Sequence, residues 1–94
     1  MPSKDHNPTA DASVDATGHQ CPVPLLMTKQ AASQLAPGQV LHIVSTDLHT
    51  GLDLAAWCAR FGHRLLMEKV REDHQEYWLI IGQKQPRTQR ITGR

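Results

Sequence analysis

Apolar positions along the chain fall into short blocks, and the period inside a block switches between two residues and about 3.6. "ASVDA" (12–16) alternates and predicts a short strand with Val14 pointing inward. "PVPLLMTKQAASQL" (22–35) predicts a helix. Leu25, Met27 or Thr28, Ala32 and Leu35 recur near the helical period, and Pro37-Gly38 stop it. "QVLHIVST" (39–46) is rich in β-branched residues and sets Val40, His42 and Val44 against Leu41, Ile43 and Ser45, as a strand does. "GLDLAAWCARFG" (51–62) predicts a second helix, with Leu52, Ala55, Ala56, Ala59 and Phe61 as its apolar surface. Gly62 suits the left-handed position that closes it. "HRLLMEKV" (63–70) and "EYWLIIGQ" (76–83) are strands joined through the polar "REDHQ". The order β-α-β-α-β-β implies an α+β, two-layer sandwich. Two helices should cover one face of a four-stranded mixed sheet, leaving the polar half of each alternation on the other.

Composition narrows the picture. A chain of 94 residues is one small domain, with 39% hydrophobic and 20% charged residues. Residues 1–12 and 84–94 are polar and read as disordered tails around a domain at 13–83. The second tail carries Lys84, Arg87, Arg90 and Arg94, four of the ten basic residues. A net charge of +1 gives no mandate for nucleic acid, so no stable nucleic-acid binding is expected. Neither a membrane-spanning run nor an apolar leader is visible, so the expected setting is the cytoplasm, and the expected state a monomer. There the two cysteines, Cys21 and Cys58, default to free thiols. The six histidines show no ligand spacing, and no metal is expected.

The chemistry concentrates in "GHQCPVP" (18–24). Proline is tolerated in the first helical turn, where amides lack intrahelical partners and a fixed φ suits the helix. With Cys21 as cap, Pro22 falls at the first helical position and Pro24 in the same turn, a rigid helix opening. A thiol there meets free amides and the positive end of the helix dipole, which lowers a cysteine pKa from ~8.5 to as little as ~3.5 to ~7.5. Gly18 permits the sharp turn from strand to cap. Two readings stay open on these grounds: a fixed, reactive thiolate, or a small residue packed at a helix start.

At these residues the chain resembles the TusA/SirA family of small sulfur-carrier proteins. The match runs through "DATGHQCPVPLLMTKQA" (15–31), "STD" (45–47), "GLDL" (51–54), "WCARFGHRLL" (57–66) and "YWLII" (77–81). The resemblance implies the two-layer sandwich read above. It implies that Cys21 carries sulfur as a persulfide, with no cofactor beyond that covalent sulfur. A cysteine desulfurase or rhodanese would load Cys21, and an acceptor-thiol protein would take the sulfur onward. In the family the destinations include tRNA thiolation, molybdenum-cofactor maturation and sulfur oxidation. The chain departs from the family at His19, where leucine is usual, and at Leu52, where tRNA-thiolation members tend to carry a basic residue. His19 is either a solvated loop residue or a group aimed at Cys21.

Cys58, inside the second helix beside Trp57, reads as a small buried core thiol. Lys29 lies about two turns below the cap and reads as a surface contact for a partner. Asp15 and Asp47 end strands, where loop capping is the ordinary role. Asp53 fits a first-turn position that favours carboxylates. The resemblance adds partner docking as a role for Asp15, Lys29, Asp47 and Asp53. Two functions of different class therefore stand: a sulfur carrier acting through Cys21, rather than a turnover enzyme, or a non-catalytic regulatory or interaction module on the same fold.

Overall fold

The computed structural model describes residues 8–82. Their elements are β1 (Ala12–Ala16), α1 (Val23–Ala32), β2 (Val40–Ser45), α2 (Thr50–Phe61), β3 (Arg64–Val70) and β4 (Gln75–Ile80). They form a single four-stranded sheet in the order β1-β2-β4-β3. β1 and β2 run parallel, with Val14 opposite Ile43, while β4 lies antiparallel between β2 and β3. The mixed sheet and both helices agree with the β-α-β-α-β-β reading. The C-terminal tail, 84–94, lies outside the described residues, as do residues 1–7 of the N-terminal one. Ala12, placed at the end of that tail, opens β1, and Asp11 exchanges hydrogen bonds with Val40.

The core forms between the helices and one face of the sheet. Leu41 and Ile43 of β2 meet Tyr77, Leu79 and Ile81 from the β4 segment, and α2 inserts Leu54 and Cys58. Each strand presents alternate residues there because successive side chains point to opposite faces. In β2, Leu41, Ile43 and Ser45 are buried, the half of the alternation that faces the helices. A register shift between Leu65 and Met67 lets β3 keep Leu65 on the core while Met67 pairs with Trp78 on the open face.

Helix α1 ends at Ala32, short of the expected Leu35. Past Ser33 the bonds tighten to three-residue turns, Gln34 N–H to Ala31 and Leu35 N–H to Ala32, ahead of Pro37-Gly38. The apolar face assigned to α2 is also corrected. Leu52, Ala55, Ala56, Ala59 and Phe61 are all exposed, and Thr50, Leu54 and Cys58 form the buried stripe. Their four-residue spacing lies on one helix face. Thr50 can be buried there because its hydroxyl bonds the Ser45 hydroxyl at 2.7 Å. Gly62 closes α2 in the left-handed conformation, with φ 81°, as its place in the sequence predicts.

Candidate functional site

Parallel neighbours β1 and β2 both end at the same edge of the sheet. The loops that follow them, each leading into a helix, are therefore side by side. Gly18, in the first loop, has φ 83° and donates its amide to the Thr46 hydroxyl of the second at 2.9 Å. A positive φ of this size is costly for any residue with a Cβ, which is why glycine serves at this turn. Asp47 ties the loops again. One carboxylate oxygen accepts the His49 amide at 2.9 Å, and the other accepts the backbone amide of Cys21.

Cys21 is exposed at this junction. Its thiol donates to Asp53 Oδ2 at 2.9 Å, from the first turn of α2. Asp47 and Asp53 thus hold the backbone and the side chain of one cysteine, 26 and 32 residues away in sequence. A shallow, open depression beside the thiol is lined by Gly18, His19, Cys21, Asp47, Leu48 and His49.

The helix opening differs from the sequence reading. Pro22, not Cys21, is the cap residue of α1, Val23 is first in the helix and Pro24 second. Cys21 stands just outside. The Val23 amide closes a turn onto the Gln20 carbonyl at 2.8 Å, so the first helical bond is Leu26 N–H to Pro22. Pro24 is fully buried and its carbonyl accepts the Thr28 hydroxyl at 2.8 Å. The Cys21–Pro22 bond is cis.

The electrostatics are corrected too. The Cys21 thiol is raised above its ordinary pKa, first by its hydrogen bond to Asp53, with burial and the negative charges of Asp53 and Asp47 adding to it. A thiol that donates to a carboxylate is stabilised in its neutral form, and nearby anions oppose the thiolate. The Asp53 carboxylate touches the sulfur directly, and Asp47 takes up the Cys21 amide just ahead of α1. The Asp47 carboxyl is held below its usual range, chiefly by the His49 and Cys21 amides.

The remaining candidates scatter. His19 is exposed and acts electrostatically on Asp15, whose carboxyl is lowered mainly by hydrogen bonds from Thr17. Asp15 accepts both the hydroxyl and the amide of Thr17, at 2.7 and 3.1 Å, a local turn cap. Lys29 is exposed in the last turn of α1, at the far end from Cys21. Cys58 is 4% exposed on the core side of α2, and burial pushes its thiol up to about 11. Sequence reasoning missed Thr46, Ser45 and Thr50, the hydroxyls that fix the Asp47 loop. An aspartate two residues before a helix cap is a legible turn signal; the hydroxyl partners across the loop are not.

The fold and site define a class: a small α+β domain that presents one thiol at a loop–helix junction. The sequence model described as Sulfurtransferase TusA matches residues 12–84. The chain belongs to the TusA family. It is 38% identical over 71 residues to the sulfur carrier protein TusA of Pseudomonas syringae pv. tomato, covering 76% of this chain and 84% of that one. Against the sulfur carrier protein TusA of Pseudomonas aeruginosa it is 35% identical over 71 residues, covering 76% and 90%. Among solved structures, the SirA-like protein of Desulfitobacterium hafniense superposes with a TM-score of 0.55 at 21% identity, covering 77% of this chain and 99% of that one, and shares the fold.

Proposed function

We propose that this protein is a sulfur carrier that accepts sulfur as a persulfide on Cys21 and hands it to a thiol of a second protein. The carrying observation is the placement of Cys21: an exposed thiol, anchored through its backbone by Asp47 and aimed by Asp53, in a shallow, open depression. A carrier must be reached by two different proteins in turn, and an open rim admits both. The names of its relatives point the same way. A module that only binds other proteins has no use for a thiol held at both backbone and side chain.

In loading, the Cys21 sulfur attacks the terminal sulfur of a donor persulfide. A new S–S bond forms on Cys21, the donor's own S–S bond breaks, and its electron pair leaves on the donor's inner sulfur. The proton lost by Cys21 ends on that leaving thiolate, so neither oxidant nor reductant is consumed. Delivery repeats the exchange with the acceptor as nucleophile. The donor class is a cysteine desulfurase or a rhodanese, and the setting is the cytoplasm; among the described residues no helix is long and apolar enough to cross a membrane. The sulfur feeds tRNA thiolation, molybdenum-cofactor maturation or sulfur oxidation.

The test is intact mass after incubation with a desulfurase and cysteine. Wild type should gain one sulfur, about 32 Da, removable by reductant, and Cys21→Ser should gain none. A wild type that stays unmodified, or a Cys21→Ser protein that is modified, overturns the reading.

A further inference from the structure

The site holds a tension. A persulfide carrier attacks as a thiolate, yet the free protein clamps Cys21 as a thiol donating to Asp53 at 2.9 Å. Asp47 adds a second carboxylate on the Cys21 amide. Among the described residues neither carboxylate is paired with a lysine or arginine; the one ion pair is His49 Nδ1 to Asp47 at 3.4 Å, and that histidine is 76% exposed. Two carboxylates at the rim, one occupied by the thiol proton, leave an unneutralised anionic spot at the place where the next protein must arrive. Two exposed leucines flank it: Leu48, which lines the same depression, is 75% exposed, and Leu52, next to Asp53 in sequence, is 72% exposed. An anionic spot flanked by exposed leucines complements a partner that brings a cation to the same place.

We propose that the donor that loads Cys21 presents a lysine or arginine beside its reactive persulfide, and that this cation, by pairing with Asp53 and Asp47, releases the Cys21 thiolate for attack. The inference rests on the carrier reading and names the partner's chemistry. Once Asp53 is engaged by a cation, it no longer accepts from the thiol and no longer opposes the thiolate's charge. The same cation lies within reach of the new thiolate and favours it. The thiol proton passes to solvent as the thiolate forms; Cys21–S⁻ then attacks the donor's terminal sulfur, the donor's S–S bond breaks, and the departing donor thiolate takes a proton back from solvent. Asp53 is thus a positioning residue that keeps the thiol quiet until a matched partner arrives. A small anion or a neutral thiol reagent lacks the key and meets a sluggish cysteine.

The experiment uses small reagents on the full chain, so its outcome is independent of whether a desulfurase loads Cys21. Cystamine, a dicationic disulfide, and 2-hydroxyethyl disulfide, a neutral one, are reacted with Cys21 and with N-acetylcysteinamide as reference, the Cys21 adduct being read by peptide mass. The ratio of rates, cationic over neutral, normalised to the reference, should be about fivefold for wild type at low salt, the Boltzmann factor for unit charges about 4 Å apart in water. It should fall toward one in ~1 M salt, which screens beyond about 3 Å. It should also fall in Asp53→Asn and further in the Asp47→Asn, Asp53→Asn protein. Meanwhile the rate of Asp53→Asn with neutral iodoacetamide should rise at neutral pH, because its thiol midpoint drops. Each unit of fall gives tenfold more thiolate and about threefold less intrinsic nucleophilicity, a net gain of about threefold. A wild-type ratio near one, or an Asp53→Asn protein whose midpoint does not fall, overturns the proposal. The wild-type salt series needs no variant, so misfolding of a variant cannot shelter it.

Discussion

Cys21 and Cys58 show how two identical side chains diverge through surroundings alone. Cys58 is buried, and with its thiol pushed up to about 11 roughly a thousandth of it is thiolate near pH 8. Iodoacetamide at that pH should label native protein once, at Cys21, and reach Cys58 only after denaturant is added. Peptide mapping checks this; comparable native labelling at both sites would show that α2 opens readily. The location of Cys21 at a helix start was legible from "CPVP", and so was the burial of Cys58. The direction of the Cys21 shift was not. A helix dipole is local and can be read from neighbours in sequence, whereas the hydrogen bond that outweighs it comes from Asp53, 32 residues on. Nothing in the pattern of residues 18–24 announces that carboxylate. Asp53 was recognisable as a first-turn acid, and its second duty emerges only when β1 and β2 are set in parallel.

At the scale of elements, the strands were the more legible part. Period-two alternation in β2 separated its two halves residue by residue, and the structure shows Leu41, Ile43 and Ser45 to be the half under the helices. Helix α2 was harder. Its apolar residues lie on both sides, three of them alanines that signal helix without signalling a face, and the true stripe includes a threonine whose burial depends on Ser45. Substitution separates the two assignments. Leu54→Ala should cost about 2–5 kcal/mol as a core truncation, while Leu52→Ser should stay within about 0.5 kcal/mol. Urea melts of both decide it, and a large cost at Leu52 would restore the sequence-based face. Helix α1 brings a similar correction. The sequence treats Pro22 and Pro24 alike, as parts of one rigid helix opening, but Pro24 is fully buried beneath the helix start. Pro24→Ala removes two packed carbons, at about 0.8 kcal/mol each, and frees the unfolded chain by another ~0.4–1 kcal/mol. For a domain of this size the ~2 kcal/mol total should lower Tm by about 8–16 °C. A shift of only a degree or two would return Pro24 to the role of stiffener.

Across the whole molecule, the helix-free face of the sheet carries a polar network that makes stability depend on pH. Trp78 lies there, 3% exposed, its ring 4.6 Å from that of His42, with the Lys69 ammonium 5.8 Å away. Around it His42 meets Ser13 and Glu76, each at 3.0 Å, and His74 bridges Glu76 at 3.4 Å and Asp73 at 2.8 Å. Burial opposes the ionisation of Glu76, but the hydrogen bonds and charges of His42 and His74 prevail and hold its carboxyl below the usual range. The Asp73 carboxyl is lowered, first by His74, and the His74 imidazole is raised, first by Asp73. The signs follow by linkage. A lowered carboxyl contributes stability present above its unfolded value of about 4 and lost as pH falls through the folded value. A raised imidazole contributes stability present below about 6.5 and lost as pH rises through the folded value. Raised thiols behave as the imidazole does, so Cys58 and Cys21 add a second loss that begins near pH ~8.5. Thermal melts from pH ~3 to ~10 should therefore peak between about 4.5 and 6.5, decline gently through neutrality, and decline again above about 8.5. His74→Gln should flatten the decline through neutrality and leave the alkaline one intact, and Cys58→Ala should shrink the alkaline decline to the part due to Cys21 and leave the one through neutrality intact. The two steps separate because the imidazole belongs to the open face of the sheet and the thiol to its covered face. A Tm that climbs steadily from pH ~5 to ~8 would mean that His74 is stabilised neutral, with Glu76 paired to Arg71, 3.7 Å away, instead.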